Sequence, residues 1–384
     1  MHNPRLLTLL CYGAMMSLAI GVNLVPVFLT TLGEALGGPT GLTQEQLGRL
    51  GASSFTGLVL GILVTGPLAD RWGAKPFALA GLALIAASLV GLAEAPSYTW
   101  AGVAVFFLGL GAGQIDMVLS PVVAALNPER RSAAMNWLHS YYCVGAVVTV
   151  LAGTVCLQVG INWRTACLLQ TILPIALICA FMPMRFPPMV GDNGRMPFAK
   201  LLHNRWFQLA LLAIFLGGAT ELGMAQWLPA YAEKGLGYPT WVGGMGLLAF
   251  SLAMAVGRMV VGATGNRFDP FLIMAWGGGL SVILFIAGAF VPQPAIALAC
   301  CIAAGFTGSC LWPTMLAVTA DRNPDGGASM FGALAALGNA GGIAMPWLIG
   351  WIADHHDLHW GLALSAIAPL AMAPLILHLR RHPV

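Results

Sequence analysis

The chain has 384 residues, of which 58% are hydrophobic and only 8% are charged. A water-soluble domain carries about 25% charged residues, so a chain this poor in charge needs lipid as its solvent. Its net charge of +3 is spread over short connections and forms no basic face, so we expect no nucleic-acid partner. The composition predicts an integral membrane protein.

Twelve apolar runs are long enough to cross a bilayer, which takes about 20 residues. The first is too long for a signal-peptide core and lacks a clear cleavage site, so we expect it to be retained as a membrane helix. The runs occupy roughly residues 6–32, 45–69, 76–94, 98–126, 132–158, 163–184, 205–232, 241–263, 270–291, 294–320, 328–353 and 360–379.

The Lys and Arg residues predict the orientation of these helices. If the N-terminus is cytoplasmic, fourteen of the 17 basic residues fall on the cytoplasmic side and three on the other. Positive charge is typically retained inside the cell, so we expect both termini in the cytoplasm and the protein in the cell inner (plasma) membrane.

The chain repeats itself across a polar connection. Residues 185–204 are rich in Pro, Gly, Asp and Asn and predict a cytoplasmic linker between two six-helix bundles, residues 1–184 and 205–384. Asn127-Pro128 recurs as Asn323-Pro324, in the corresponding place of the second half. Parallel repeats of six helices, with a substrate site at the midplane, are a known transporter plan. We therefore expect an all-α membrane protein of two pseudo-symmetric bundles.

Two carboxylates, Asp116 and Glu221, lie deep inside apolar runs. An ionisable group at that depth costs roughly 2.5–3.5 kcal/mol on insertion scales, and proton relays and substrate sites usually account for it. His139 is predicted at a depth similar to that of Asp116, with Asn136 and Tyr142 on roughly the same helix face. We predict proton coupling at Asp116, Glu221 and His139; the alternative is that they only lock helices together.

Amide and aromatic side chains follow or accompany these acids. Glu221 precedes Gln226 and Trp227, and carboxylate, amide and indole groups together are suited to a sugar. The alternative for Trp227 is a place in the aromatic belt at the membrane surface. Ordinary interhelical hydrogen bonds are the alternative for the amides. The complete predicted substrate set is Asn23, Gln114, Asn136, His139, Tyr142, Glu221, Gln226, Trp227, Trp312 and Asn339.

Several classes of protein lack support in the sequence. No phosphate-binding loop indicates ATP-driven transport, and the eight cysteines show no metal-ligand spacing. An intramembrane enzyme would need a nucleophile or metal pair at matched depth, and only His139 with Asp116 comes close. We therefore expect no enzyme, no metal and no cofactor.

The segment Gly66-Pro-Leu-Ala-Asp-Arg-Trp-Gly-Ala-Lys75 resembles the loop 2–3 signature of the major facilitator superfamily. Within that family, the segments Ile115–Pro121, Asn136–Ala146 and Glu221–Leu228 resemble the fucose–proton symporters. One feature departs from that branch, because residues 21–26 contain no acid on the first helix.

The resemblance implies a secondary transporter that moves a small polar solute, a sugar together with a proton, by alternating access. The alternative is an efflux transporter or an uncoupled facilitator for amphipathic or other organic molecules. The expected partners are the solute, a proton and membrane lipid, and the protein is expected to be a monomer. Sodium coupling and antiport stay open. The resemblance also implies that charged residues clamp the two halves on the cytoplasmic side, namely Asp70, Arg71, Arg258 and Arg267.

Overall fold

The computed structural model describes residues 3–127, 131–187, 198–264, 268–323 and 327–381. The chain divides into two compact units: Met1–Leu42 with Ser53–Gly191, and Thr43–Ala52 with Asp192–Val384. The change of unit after Gly191 falls inside the predicted connection 185–204. The sequence analysis placed residues 43–52 in the first half, whereas their contacts assign them to the second unit.

The described chain is helical throughout its regular elements and contains twelve helical spans long and apolar enough to cross a bilayer. This confirms the predicted all-α class and the number of spans. Their bounds follow the predicted runs closely, but four of the runs, 6–32, 163–184, 294–320 and 360–379, are each divided into two helices. In the first of these runs, one helix stops at Val27 and a second short helix starts at Leu29.

The described residues of the first unit form eight helices, the third of which begins in the second unit. Their bounds are α1 Pro4–Val27, α2 Leu29–Leu36, α3 Gln44–Trp72, α4 Ala74–Ala93, α5 Tyr98–Leu126, α6 Arg131–Gln158, α7 Trp163–Leu169 and α8 Ile172–Phe181.

Glycines let α3 and α5 pack backbone against backbone. A Cβ atom at Gly57 would overlap the carbonyl oxygen of Phe106, and one at Gly109 would overlap that of Ser54. Lipid is as apolar as the side chains, so close van der Waals packing of small residues is what draws membrane helices together. This packing sets the rotation of α5, the helix that carries Gln114 and Asp116.

Where the structure describes the second unit, it contains the first turns of α3 and nine further helices. Their bounds are α9 Phe198–His203, α10 Arg205–Ala230, α11 Thr240–Thr264, α12 Pro270–Phe290, α13 Pro294–Gly308, α14 Leu311–Arg322, α15 Gly327–His355, α16 Leu358–Leu364 and α17 Ile367–Arg381. A π-helical turn, Tyr231–Gly235, extends α10.

The start of α3 packs on α15 within the second unit. A Cβ atom at Gly48 would overlap the carbonyl oxygen of Pro346, and one at Gly350 would overlap that of Gln44. The indole N–H of Trp227 donates to the same Pro346 oxygen at 2.9 Å. Glycine on both helices and a hydrogen bond from α10 therefore hold Thr43–Ala52 in place.

The repeated Asn-Pro pairs make the same local contact in each unit. The amide of Asn127 donates to Val123 O at 2.9 Å, and that of Asn323 donates to Thr319 O at 3.0 Å. Each carbonyl also accepts the backbone N–H of the same asparagine at 3.1 Å, so the amide adds a second hydrogen bond in the last turn of the helix. The sequence repeat therefore corresponds to a repeated helix ending.

Candidate functional site

An ion pair lies among the helices of the second unit. Arg258 of α11 donates through Nη2 to both carboxylate oxygens of Glu221 on α10, at 3.0 and 2.9 Å. The Glu221 side chain is 11% exposed and that of Arg258 is 30% exposed. The sequence analysis assigned Glu221 to substrate and proton and Arg258 to a cytoplasmic clamp; the structure joins them in one pair.

A third group completes what we call the polar centre: Glu221, Arg258 and the carbonyl of Ser309. The Nε–H of Arg258 donates to Ser309 O at 3.3 Å. Short connections place residues 235, 240 and 294 at one side of the unit. Counted from these residues at 1.5 Å per residue, Glu221 lies roughly 21 Å along its helix, Arg258 roughly 27 Å and Ser309 roughly 22 Å. The hydrocarbon core is about 30 Å thick, so the polar centre lies inside it.

The helix that supplies Ser309 is interrupted there. α13 ends at Gly308 and α14 begins at Leu311, so Ser309 and Cys310 form a break inside one membrane span. Irregular backbone at this depth is tolerated where it is buried in protein or lines a cavity, and transporters often build substrate sites at such breaks.

A glycine allows α11 to approach this break closely. A Cβ atom at Gly257 would overlap Ser309 Oγ and would lie 2.6 Å from Phe306 O. The hydroxyl of Ser309 is itself occupied, since it donates to Phe306 O at 2.7 Å. Arg258, one residue after Gly257, is thereby brought within hydrogen-bond reach of the Ser309 carbonyl.

An aromatic ring and an amide occupy neighbouring positions of α14 and α15. Gly338 lies against the half-buried ring of Trp312. A Cβ atom added at Gly338 would come within 2.8 Å of that ring. Asn339 follows directly, buried, with its amide donating to Ala335 O at 2.9 Å. The structure therefore places the Trp312 ring against the residue that directly precedes Asn339.

Two other predicted substrate residues on α10 are packing residues in this conformation. Trp227 is fully buried and hydrogen-bonded to α15, so its ring presents no face for a ligand. It also does not lie in an aromatic belt facing lipid. Gln226 is buried beside Gly51. A Cβ atom added at Gly51 would lie 3.0 Å from Oε1 of Gln226.

Four predicted residues of the first unit lie on α1, α5 and α6. Asn23 is buried and donates to Ala19 O of its own helix at 2.9 Å. Gln114 packs against Gly81, and its Oε1 has no hydrogen-bond partner among the described residues. Asp116 and Tyr142 are half-buried in α5 and α6.

The remaining predicted residues are located only in part. Arg71 is exposed at the end of α3. The side chains of Asp70, Asn136 and His139, and the whole of Arg267, lie outside the described residues. Their predicted roles in gating, substrate binding and proton coupling stay predictions.

Sequence reasoning missed the contribution of the α13–α14 break. Pro313, three residues after a Ser-Cys pair inside an apolar run, was the available signal, because proline commonly interrupts a helix. It also missed an aromatic pair in the first unit, Tyr12 and Tyr141, whose ring centroids are 4.9 Å apart.

The polar centre is balanced in charge, with one guanidinium and one carboxylate. Searched over the described residues, the structure shows no group of three or more His, Cys, Asp or Glu side chains able to hold a metal ion. An exchangeable proton on Glu221 and an anion on Arg258 are the ligands that this arrangement can handle.

Comparison with known proteins identifies the family. The family model described as Major Facilitator Superfamily matches residues 8–298 and 243–384. Two relatives have names that state a substrate. One, of Mycobacterium tuberculosis, is named "Probable nitrate/nitrite transporter NarK2" and is 27% identical over 349 residues, covering 86% of each chain. The other, the gentisate transporter of Corynebacterium glutamicum, is 25% identical and covers 88% of this chain and 78% of its own.

A third relative is the cis,cis-muconate transport protein of Acinetobacter baylyi, which is 24% identical over 63% of each chain. Two solved structures share the fold. The D-xylose–proton symporter aligns with a TM-score of 0.77 and 14% identity, covering 96% of this chain and 97% of its own. The Escherichia coli fucose–proton symporter aligns with a TM-score of 0.67 and 17% identity, covering 97% and 98%.

Proposed function

The chain belongs to the major facilitator superfamily, a family of transporters and not of enzymes, and on that premise we propose that it carries a small anion together with a proton. It moves the solute across the plasma membrane by alternating access. The observation that carries this proposal is the Arg258 guanidinium held inside a membrane span by both oxygens of Glu221.

A guanidinium at bilayer depth has to be paired or to serve a ligand. Its planar set of donors fits the two oxygens of a carboxylate or the oxygens of nitrate. Glu221 occupies that position in the empty protein. A substrate anion and Glu221 therefore compete for the same donors of Arg258.

Protonation of Glu221 resolves this competition. A neutral carboxylic acid no longer holds the guanidinium strongly, and the incoming anion replaces it. The empty polar centre contains one positive and one negative group; the loaded centre contains Arg258, the anion and a neutral Glu221. Its net charge is zero in both, so neither form places an uncompensated charge in the membrane interior, where such a charge is very unfavourable. This condition links the anion to the proton.

The named relatives support an anion. Nitrate and gentisate, which two of the names state, are planar anions with one negative charge, and muconate, stated by the third, is a planar dicarboxylate that fits the same charge balance as its monoanion. In this proposal Asp116 and His139, which the sequence predicts for coupling, form a second proton site in the first unit. Asp70, Arg71 and Arg267 act as the cytoplasmic clamp.

A sugar carried with a proton is the second candidate. The half-buried ring of Trp312, which lies against the residue before Asn339, favours it, because a sugar ring stacks on an aromatic face while amides bind its hydroxyls. In that case Glu221 would bind hydroxyl groups and Arg258 would only balance its charge. The two candidates differ in whether the substrate needs a negative charge.

Uptake into proteoliposomes with an alkaline interior tests the proposal. The solutes are gentisate, cis,cis-muconate, nitrate, L-fucose and D-xylose, each labelled and present alone. We expect an anion to accumulate, and a protonophore to abolish the accumulation. Accumulation of a sugar without any anion would reject the proposal in favour of the second candidate. Equilibration without accumulation would indicate a facilitator.

A matched variant ties the result to the polar centre. Arg258→Lys keeps the positive charge but loses the planar fork, so we expect weaker anion uptake. Arg49→Lys changes an exposed arginine in an ion pair with Glu45 and serves as the control. Equal loss in the two variants would remove the support for Arg258.

A further inference from the structure

We infer that Pro313 is a positioning residue for the anion, because it makes the Ser309 carbonyl available to Arg258. This inference rests on the proposed function of the polar centre. Pro313 does not touch the substrate; it acts through the orientation of the guanidinium.

The first step concerns the missing donor. In a regular helix the N–H of residue 313 would donate to the carbonyl of residue 309, four positions earlier. Proline has no N–H, and its ring clashes with that carbonyl. Ser309 O therefore cannot accept the helical hydrogen bond that a residue with an N–H at position 313 would donate. The next bond is intact, since Thr314 N donates to Cys310 O at 3.1 Å.

The second step concerns the replacement partner. A buried carbonyl without a donor is unfavourable, and such groups are nearly always satisfied in folded proteins. Arg258 Nε–H supplies the bond at 3.3 Å. The hydroxyl of Ser309 is already bonded to Phe306 O, and the absence of a side chain at Gly257 allows the close approach.

The third step concerns the guanidinium plane. Nη2 is held by Glu221 and Nε by Ser309 O, which are on different helices. Two contacts through different nitrogens fix the plane of the group, whereas the Glu221 contact alone would let it rotate. When an anion displaces Glu221, the hydrogen bond to Ser309 O still holds the Arg258 guanidinium in place. The ordering of Arg258 is then already achieved before the substrate binds, and preorganisation of this kind raises affinity.

Pro313→Ala tests the inference, because the restored N–H gives Ser309 O a helical partner again. The first readout needs no substrate: solvent exchange of the Arg258 Nε–H proton, followed by nitrogen-15 NMR in arginine-labelled protein. We expect exchange to be at least about fivefold faster in Pro313→Ala than in the wild type, as for the loss of a hydrogen bond to a charged group. Pro374→Ala, which changes a proline inside α17, is the control and should not change the rate.

The second readout is uptake of gentisate and of nitrate. We expect a higher KM in Pro313→Ala with little change in maximal rate, and no further rise in KM when the substitution is added to Arg258→Lys. Unchanged Nε–H exchange, or a loss of maximal rate with unchanged KM, would overturn the inference and make Pro313 a hinge. Pro313→Ser restores the same N–H and should behave alike. If Arg258→Lys itself leaves uptake unchanged, the proposed function fails, a result distinct from failure at Pro313.

Discussion

Asp354, in the last turn of α15, accepts the backbone N–H of Gln44 at 2.7 Å, and its second oxygen accepts that of Glu45 at the same distance. These N–H groups open α3 and have no acceptor within their own helix. A carboxylate there also meets the positive end of the helix dipole. A side chain distant in sequence therefore caps α3 inside the second unit.

We expect Asp354→Ala to lower the free energy of unfolding by about 1 kcal/mol, the usual effect of a lost N-cap. Asp354→Asn should lose less, because its amide keeps one oxygen acceptor. Thermal unfolding of the purified protein in detergent measures both. Asp321→Ala, which removes an exposed acid of α14, is the control. Equal losses for Asp354→Ala and Asp321→Ala would contradict the cap.

Removing Arg258 alone should destabilise the protein strongly. Arg258→Gln leaves Glu221 charged and unpaired in the membrane interior, and breaking a buried pair in this way costs about 3 kcal/mol or more. The double variant Arg258→Gln with Glu221→Gln should recover most of that loss, since no charge remains. Arg49→Gln breaks an exposed pair and should cost less than about 1 kcal/mol. Additive effects in the double variant would show that the two side chains do not depend on each other.

Glu221→Gln should separate anion binding from the proton. The neutral amide imitates the protonated acid, so Arg258 is permanently available to the anion. We expect binding that no longer varies with pH, exchange of substrate across the membrane, and no accumulation in a pH gradient. Binding measurements between pH 5 and 8 and proteoliposome uptake provide the test. A variant that keeps the wild-type pH dependence would rule out Glu221 as the proton site.

Asp116→Asn should affect accumulation in a different way. A permanently neutral side chain in the first unit cannot release a proton, so we expect exchange without accumulation. The pH dependence of anion binding should stay as in the wild type, because the polar centre is unchanged. The same uptake and binding assays apply. If Asp116→Asn accumulates substrate as the wild type does, Asp116 has no role in proton coupling and Glu221 alone supplies it.

The contacts of Asp269 at the start of α12 predict that the stability of the fold depends on pH. Burial raises the pKa of Asp269, but hydrogen bonds from Arg380, at 2.7 Å, and from the backbone N–H of Phe271 outweigh it, so the pKa lies below its usual value of 3.8. A lowered pKa stabilises the fold above the unfolded-state value, and this contribution is lost as the pH falls through the folded-state value.

Asp269→Asn should therefore unfold at a lower temperature than the wild type at pH 7, and the difference should shrink below about pH 4. Asparagine also caps helices well, so the comparison isolates the charge. Unfolding temperatures across pH 3–7 measure it. A difference that stays constant over this range would contradict an ionic contribution from Asp269.

Several features of the fold followed from the sequence alone because they depend on local composition. In lipid each backbone segment must satisfy its own hydrogen bonds, so an apolar run of about 20 residues has to be a helix. The twelve spans and the all-α class could therefore be predicted. The unusual acids, Asp116 and Glu221, were visible for the same reason, since their cost depends on depth along a single helix.

Only the tertiary structure decided which side chains meet. Helix rotation is set by close packing at glycines such as Gly257 and Gly338, and hydropathy carries no information about partners on other helices. Periodicity could not show that Arg258 turns toward Glu221, that Pro313 leaves a carbonyl open to it, or that Trp227 is fully buried against α15. These contacts join residues far apart in the chain, and long-range packing determines them.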